Sequence, residues 1–108
     1  MEQGRAEEAV VEFGKALEAR PGFASAHINL GNLYLRSGRT AEAVASYERA
    51  LEADPGNARV RNNLGIALVK QGRTAEAAAQ FKKAIEIDPG YAEARRNLGI
   101  VTGRPAGP

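Results

Sequence analysis

The 108-residue sequence contains no cysteine and no tryptophan, one histidine and one methionine. Without cysteine there is no disulfide, no thiol nucleophile and no thiolate metal ligand. The lone histidine, His27, has no His/Asp/Glu cluster at metal-ligand spacing around it. Glycines come singly at breaks rather than in a phosphate-cradling loop. Nothing assembles a nucleophile, a base and an oxyanion donor, so the chain reads as a non-enzyme, with no cofactor and no metal. Aromatic residues make up 6% of the chain, so any core must be built from alanine and aliphatic side chains. No apolar run approaches the roughly 18 to 20 residues of a membrane span, and a membrane partner is not expected. The formal net charge is only +2, too balanced to point to nucleic acid. The start, Met1-Glu2-Gln3-Gly4-Arg5, lacks the apolar stretch of a signal peptide, which leaves the cytoplasm as the default compartment.

What is present is repetition. Residues 24–57 read ASAHINLGNLYLRSGRTAEAVASYERALEADPGN, and residues 58–91 follow as a second copy, identical at 16 of 34 positions without a gap. A fixed internal period decides architecture before any other signal. Residues 1–23 are expected to be the second helix of a partial copy and 92–102 the first helix of another. Residues 103–108, with two prolines and two glycines, read as a frayed tail.

Within each copy the apolar residues fall at helical spacing. Residues 5–19 place Ala9, Val10, Phe13, Ala16 and Leu17 on one face. Residues 24–36 place Ala26, Leu30, Leu33 and Tyr34 together, and 40–53 place Ala43, Val44, Tyr47, Ala50 and Leu51 together. The second copy repeats the plan with helices at 58–70 and 75–87, and a last helix spans 92 to about 102. Gly38 and Gly72 suit left-handed C-terminal caps. Thr40 and Thr74 suit N-caps, with Glu42 and Glu76 in the first turn beyond. Pro21, Pro55 and Pro89 mark the ends of the second helices. About six helices on short loops predict antiparallel neighbours. Each hairpin leaves an apolar face that only the next can cover, so the fold class is all-α, an α-solenoid of helix hairpins.

This punctuation resembles the tetratricopeptide repeat, whose pattern runs Leu-Gly, Tyr, Ala, aromatic, Ala, Pro. The first full copy supplies Leu30, Gly31, Tyr34, Gly38, Ala43, Tyr47, Ala50 and Pro55. The second supplies Leu64, Gly65, Leu68, Gly72, Ala77, Phe81, Ala84 and Pro89. The family's tryptophan position holds His27, Arg61 and Arg95, which points to partly exposed edges between helices. The resemblance implies a protein–protein interaction scaffold in which the first helix of each pair lines a concave groove.

Mapped by that register, the groove residues are Ile28, Asn29, Asn32, Leu35 and Arg36, then Arg59, Asn62, Asn63, Ile66, Val69 and Lys70, then Arg96, Asn97 and Ile100. Asn29, Asn63 and Asn97 stand 34 residues apart and resemble the asparagine ladder of peptide-binding members. An amide carries both a donor and an acceptor, so such a column suits the backbone of an extended peptide. The aliphatic members with Arg36, Arg59, Lys70 and Arg96 suit a peptide bearing acidic groups. Chaperone-binding members hold a C-terminal carboxylate with lysine, asparagine, asparagine, lysine and arginine. Here Asn32 and Asn63 match, but Ile28, Glu93 and Asn97 occupy the cationic positions, so that clamp is not expected.

Two rival readings concern the ends. The half copies at 1–23 and 92–102 could complete each other between chains, giving a self-associating homo-oligomer. Alternatively, the array is a fragment that serves as the targeting arm of a larger enzyme.

Overall fold

The computed structural model describes residues 24–103. The helix expected over 5–19, with Val10, Phe13 and Leu17, and the tail from 104 onward lie outside the described residues. Among the described residues there are five α-helices: α1 Ala24–Arg36, α2 Thr40–Ala53, α3 Ala58–Lys70, α4 Thr74–Ile87 and α5 Ala92–Thr102. They fall into two compact units divided between Pro55 and Gly56, each with its own core.

The first unit holds the α1–α2 hairpin. Its core is Ala26, Leu30 and Leu33 against Ala43, Val44, Tyr47, Ala50 and Leu51, all buried. His27 is also buried, at 2% exposure, which corrects the expectation that the family's tryptophan position forms an exposed edge here. The second unit holds α3, α4 and α5. Val60, Leu64, Ala67 and Leu68 meet Ala77, Phe81 and Ala84, while α5 adds only Ala94 to the buried set. Arg61 and Arg95 are half-buried. The Arg61 Nη1 donates to Gln80 Oε1 at 3.2 Å, tying α3 to α4. The Arg95 Nε donates to the Pro89 carbonyl at 2.7 Å, tying α5 to the loop before it.

The helix breaks explain the glycines. At the end of α1, the Arg39 N–H reaches the Tyr34 carbonyl at 2.8 Å and the Gly38 N–H reaches Leu35 at 3.2 Å. At the end of α3, Arg73 reaches Leu68 at 2.9 Å and Gly72 reaches Val69 at 2.9 Å. This paired pattern satisfies the last carbonyls and demands a left-handed residue at its corner. Gly38 and Gly72 supply it with φ of 79° and 77°. The second helices end differently. Asp54 and Asp88 still donate to the carbonyls of Ala50 and Ala84, and the following proline has no N–H with which to continue.

The helix starts depart from expectation. Thr40 and Thr74 are the first helical residues, and the caps are Arg39 and Arg73, without a side-chain cap hydrogen bond. Their carbonyls accept from Ala43 and Ala77, each at 3.0 Å, so the ladder begins one residue earlier. The arginine side chains turn outward instead. Arg39 Nε contacts Glu42 Oε2 at 2.9 Å and its guanidinium lies over the Tyr34 ring. Arg73 contacts Glu76 through two nitrogens, at 2.9 and 2.6 Å, and holds the Glu76 carboxyl below the ordinary carboxylate range. Both pairs are exposed, where an ion pair contributes little to stability. Among the described N-caps, Asn57 uses its side chain: its Oδ1 accepts from the Val60 N–H at 3.1 Å.

Candidate functional site

Each hairpin is closed by an aromatic ring seated on a glycine. A Cβ placed on Gly31 would lie 2.7 Å from Tyr47 Cε1. One placed on Gly65 would lie 2.8 Å from Phe81 Cδ1 and Cζ. These contacts put the two helices of a pair at close approach and fix which faces turn outward. Of the residues expected to meet a partner, Asn29 and Arg36 on α1 are exposed, while Ile28, Asn32 and Leu35 are half-buried. On α3, Arg59, Val69 and Lys70 are exposed, and Asn63 and Ile66 are half-buried. On α5, Arg96 and Ile100 are exposed and Asn97 is half-buried. The exposure of Ile100 reaches 71%, the largest among the big apolar side chains described.

Of the fourteen, Asn32, Asn62 and Asn97 hydrogen-bond within the fold. In the first unit, the Tyr47 hydroxyl donates to Asn32 Oδ1 at 2.5 Å, so Asn32 also serves the hairpin. Burial pushes the Tyr47 phenol up to about 12, partly offset by the Arg36 charge. In the unfolded chain the phenol ionises near its ordinary value of 10.0. The stability contributed by the neutral Tyr47 phenol is therefore fully present below pH 10 and is lost as the pH rises toward 12. A urea titration at several pH values should show the midpoint falling across that window. In Tyr47→Phe that part of the fall should vanish. An unchanged alkaline profile in the variant would mean the phenol does not resist ionisation.

In the second unit, Asn62 is fully buried, at 0% exposure, and does not present its side chain at the surface. This corrects its expected place along the groove. The family register put it there with Asn63. The α5 helix covers it, and Asn97 Nδ2 donates to Asn62 Oδ1 at 3.0 Å across the α3–α5 seam. Asn62 Nδ2 is buried without a hydrogen-bond partner of its own. The Asn62 amide favours the ionised form of the Tyr91 phenol without making a hydrogen bond to it. Burial raises the Tyr91 phenol and the Glu93 charge raises it further, while Arg59 and Asn62 pull it back. Tyr91 was not legible as a site residue. The only signal was that it replaces Asn57 at the same register position.

Among the described residues no group of three or more His, Asp or Glu could hold a metal ion. No described helix is long and apolar enough to cross a membrane.

Solved structures place the fold. The chain superposes on MamA with a TM-score of 0.90 at 22% identity, over 95% of this chain and 60% of that one. A second MamA structure gives 0.87 at 21% identity, over 91% and 54%. The chain thus spans less than two thirds of the MamA chains. The first TPR of Spaghetti (RPAP3), bound to the HSP90 peptide SRMEEVD, gives 0.88 at 22% identity, over 94% and 81%. No curated protein matches the sequence. All are helical-repeat folds, in agreement with the α-solenoid class expected from the period. The family profile described as Tetratricopeptide repeat matches three overlapping stretches, residues 1–58, 28–92 and 62–101. Together they run over almost the whole sequence, and the chain belongs to the tetratricopeptide repeat family.

Proposed function

We propose that the chain is a protein-interaction scaffold that binds an extended peptide segment through its first-of-pair helices. The observation that carries this reading is a recurring pair within the second unit. Asn63 and Ile66 on α3 are matched, 34 residues on, by Asn97 and Ile100 on α5. Residues three apart share a helix face. All four retain exposed surface, and Ile100 retains most of its own. An amide beside an aliphatic side chain, presented twice, suits a peptide backbone with an apolar side chain at intervals. Arg59, Lys70 and Arg96 are exposed on the same two helices and favour acidic flanks on the ligand. Asn29 and Arg36, with Ile28, Asn32 and Leu35, provide the corresponding set on α1. The RPAP3 repeat bound to SRMEEVD supports a peptide as the partner class for this fold.

The test is an array of extended decapeptides, acidic and neutral, followed by calorimetry on those that bind. Removing both amides with Asn63→Ala and Asn97→Ala should weaken binding by roughly ten- to a hundredfold, at about 0.7 to 1.4 kcal/mol per lost hydrogen bond. Affinity for acidic peptides should also drop between low and high salt as exposed charges are screened. Unchanged binding in the double variant would remove the asparagines from the site. Failure of every decapeptide to bind would remove the extended-peptide reading.

A further inference from the structure

The two amides at the α3–α5 seam are not equivalent. Asn97 is half-buried with a surface-facing role in the proposed site, whereas Asn62 is enclosed. The bond between them runs in one direction, from Asn97 Nδ2 to Asn62 Oδ1 at 3.0 Å. A planar amide whose nitrogen is held on one side presents its oxygen on the other. Asn62 is in turn confined by burial, and its Nδ2 has no hydrogen-bond partner of its own. If Asn62 alone flipped, its nitrogen would face the Asn97 nitrogen, donor against donor. The contact therefore ties the two orientations together, with Asn62 offering its oxygen and Asn97 its nitrogen. The first full copy has no counterpart to this arrangement. The register position of Asn62 is Ile28 there, which has no acceptor, and the position of Tyr91 is Asn57, which caps α3 with its side chain.

We infer that Asn62 is a positioning residue: its buried carbonyl captures the Asn97 amide nitrogen and sets Asn97 to offer its carbonyl oxygen to a backbone N–H of the bound peptide. The inference rests on the peptide-binding reading above, but the orientation of Asn97 can be measured without any ligand. In the wild-type protein, the Asn97 side-chain amide protons should exchange with solvent more slowly than those of exposed Asn29, by NMR. Equal exchange would overturn the inference. In Asn62→Leu, which fills the site without a polar group, the Asn97 protection should be lost while the helical circular dichroism is kept. Asn62→Asp, which keeps an acceptor, should retain the protection. Protection that survives Asn62→Leu in a folded protein would also overturn it. With a decapeptide that binds, Asn62→Leu and Asn97→Ala should each weaken binding by about tenfold, and the double variant should be no weaker than Asn97→Ala alone. Additive losses would overturn the positioning role. If no decapeptide binds, the peptide reading falls, and the exchange measurements still decide whether Asn62 orients Asn97.

Discussion

Phe81→Ala is expected to lower stability by about 3 to 5 kcal/mol, the range for truncating a buried aromatic side chain. Phe81 is 1% exposed and lies at the centre of the α3–α4 pair, flanked by Ala77 and Ala84. Its opposite wall is Gly65, which has no side chain that could move into the vacated space. Ala77 and Ala84 on its own helix are also short, so relaxation of Val60, Leu64 and Leu68 would close the cavity only in part. Domains of this size have a total stability of about 5 to 15 kcal/mol, so the variant would lose a large share of it. Denaturant unfolding followed by circular dichroism gives the measurement. A loss under about 1 kcal/mol would mean the ring is not the packing centre that its burial indicates.

The second large effect is expected at the other side of the same contact. Gly65→Val should destabilise by about 2 kcal/mol or more, within the range for overpacking a core. Helix propensity argues the opposite way, since an interior glycine is worse than valine by a few tenths of a kcal/mol. Steric conflict should win because the obstructing group is a ring held on all sides, not the end of a flexible chain. A first added carbon already stands within van der Waals overlap of Phe81, and valine adds two more. Combining Gly65→Val with Phe81→Leu relieves the conflict. The double variant should then be more stable than the sum of the two single losses predicts. Strict additivity of the two would show that Gly65 and Phe81 do not share one packing site. Gly38 and Gly72 behave differently. No atom would meet a Cβ there, and the need for glycine comes from the backbone angle alone.

The period and punctuation made the fold legible before any coordinates. Leu30-Gly31 and Leu64-Gly65, each followed 16 residues on by an aromatic, specify which helix pairs close together, because only glycine admits a ring at that distance. The break positions were equally legible, since Gly-Arg-Thr and Asp-Pro-Gly can each continue a helix only poorly. The caps were not. Threonine has the side chain for the task, but the Arg39 and Arg73 carbonyls start the ladder before it. At the candidate site, register put Asn29, Asn63 and Asn97 on first-of-pair helices, and they are there with surface to offer. Register could not show that Asn62 and Asn63, adjacent in sequence, separate into a buried and a half-buried amide. Helical periodicity assigns a direction around one helix axis. Whether that direction is open depends on α5, which no local pattern in α3 encodes.

The glycine-cornered turns after α1 and α3 bear on how arrays of this kind change length. The stretch Gly-Arg-Thr-Ala-Glu-Ala recurs unaltered at 38–43 and 72–77, with the same corner angle and the same carbonyl partners. A crossover or replication slip between the two copies within that stretch joins the front of one turn to the back of the other. The junction so formed is chemically the same turn, with its glycine at the left-handed corner and its arginine four residues ahead of the alanine it caps. Gain or loss of one whole period at this seam therefore leaves no malformed joint for selection to repair. Repeat number can therefore change at this seam without a strained turn, while a join out of register within the stretch would put a residue with a Cβ at the corner.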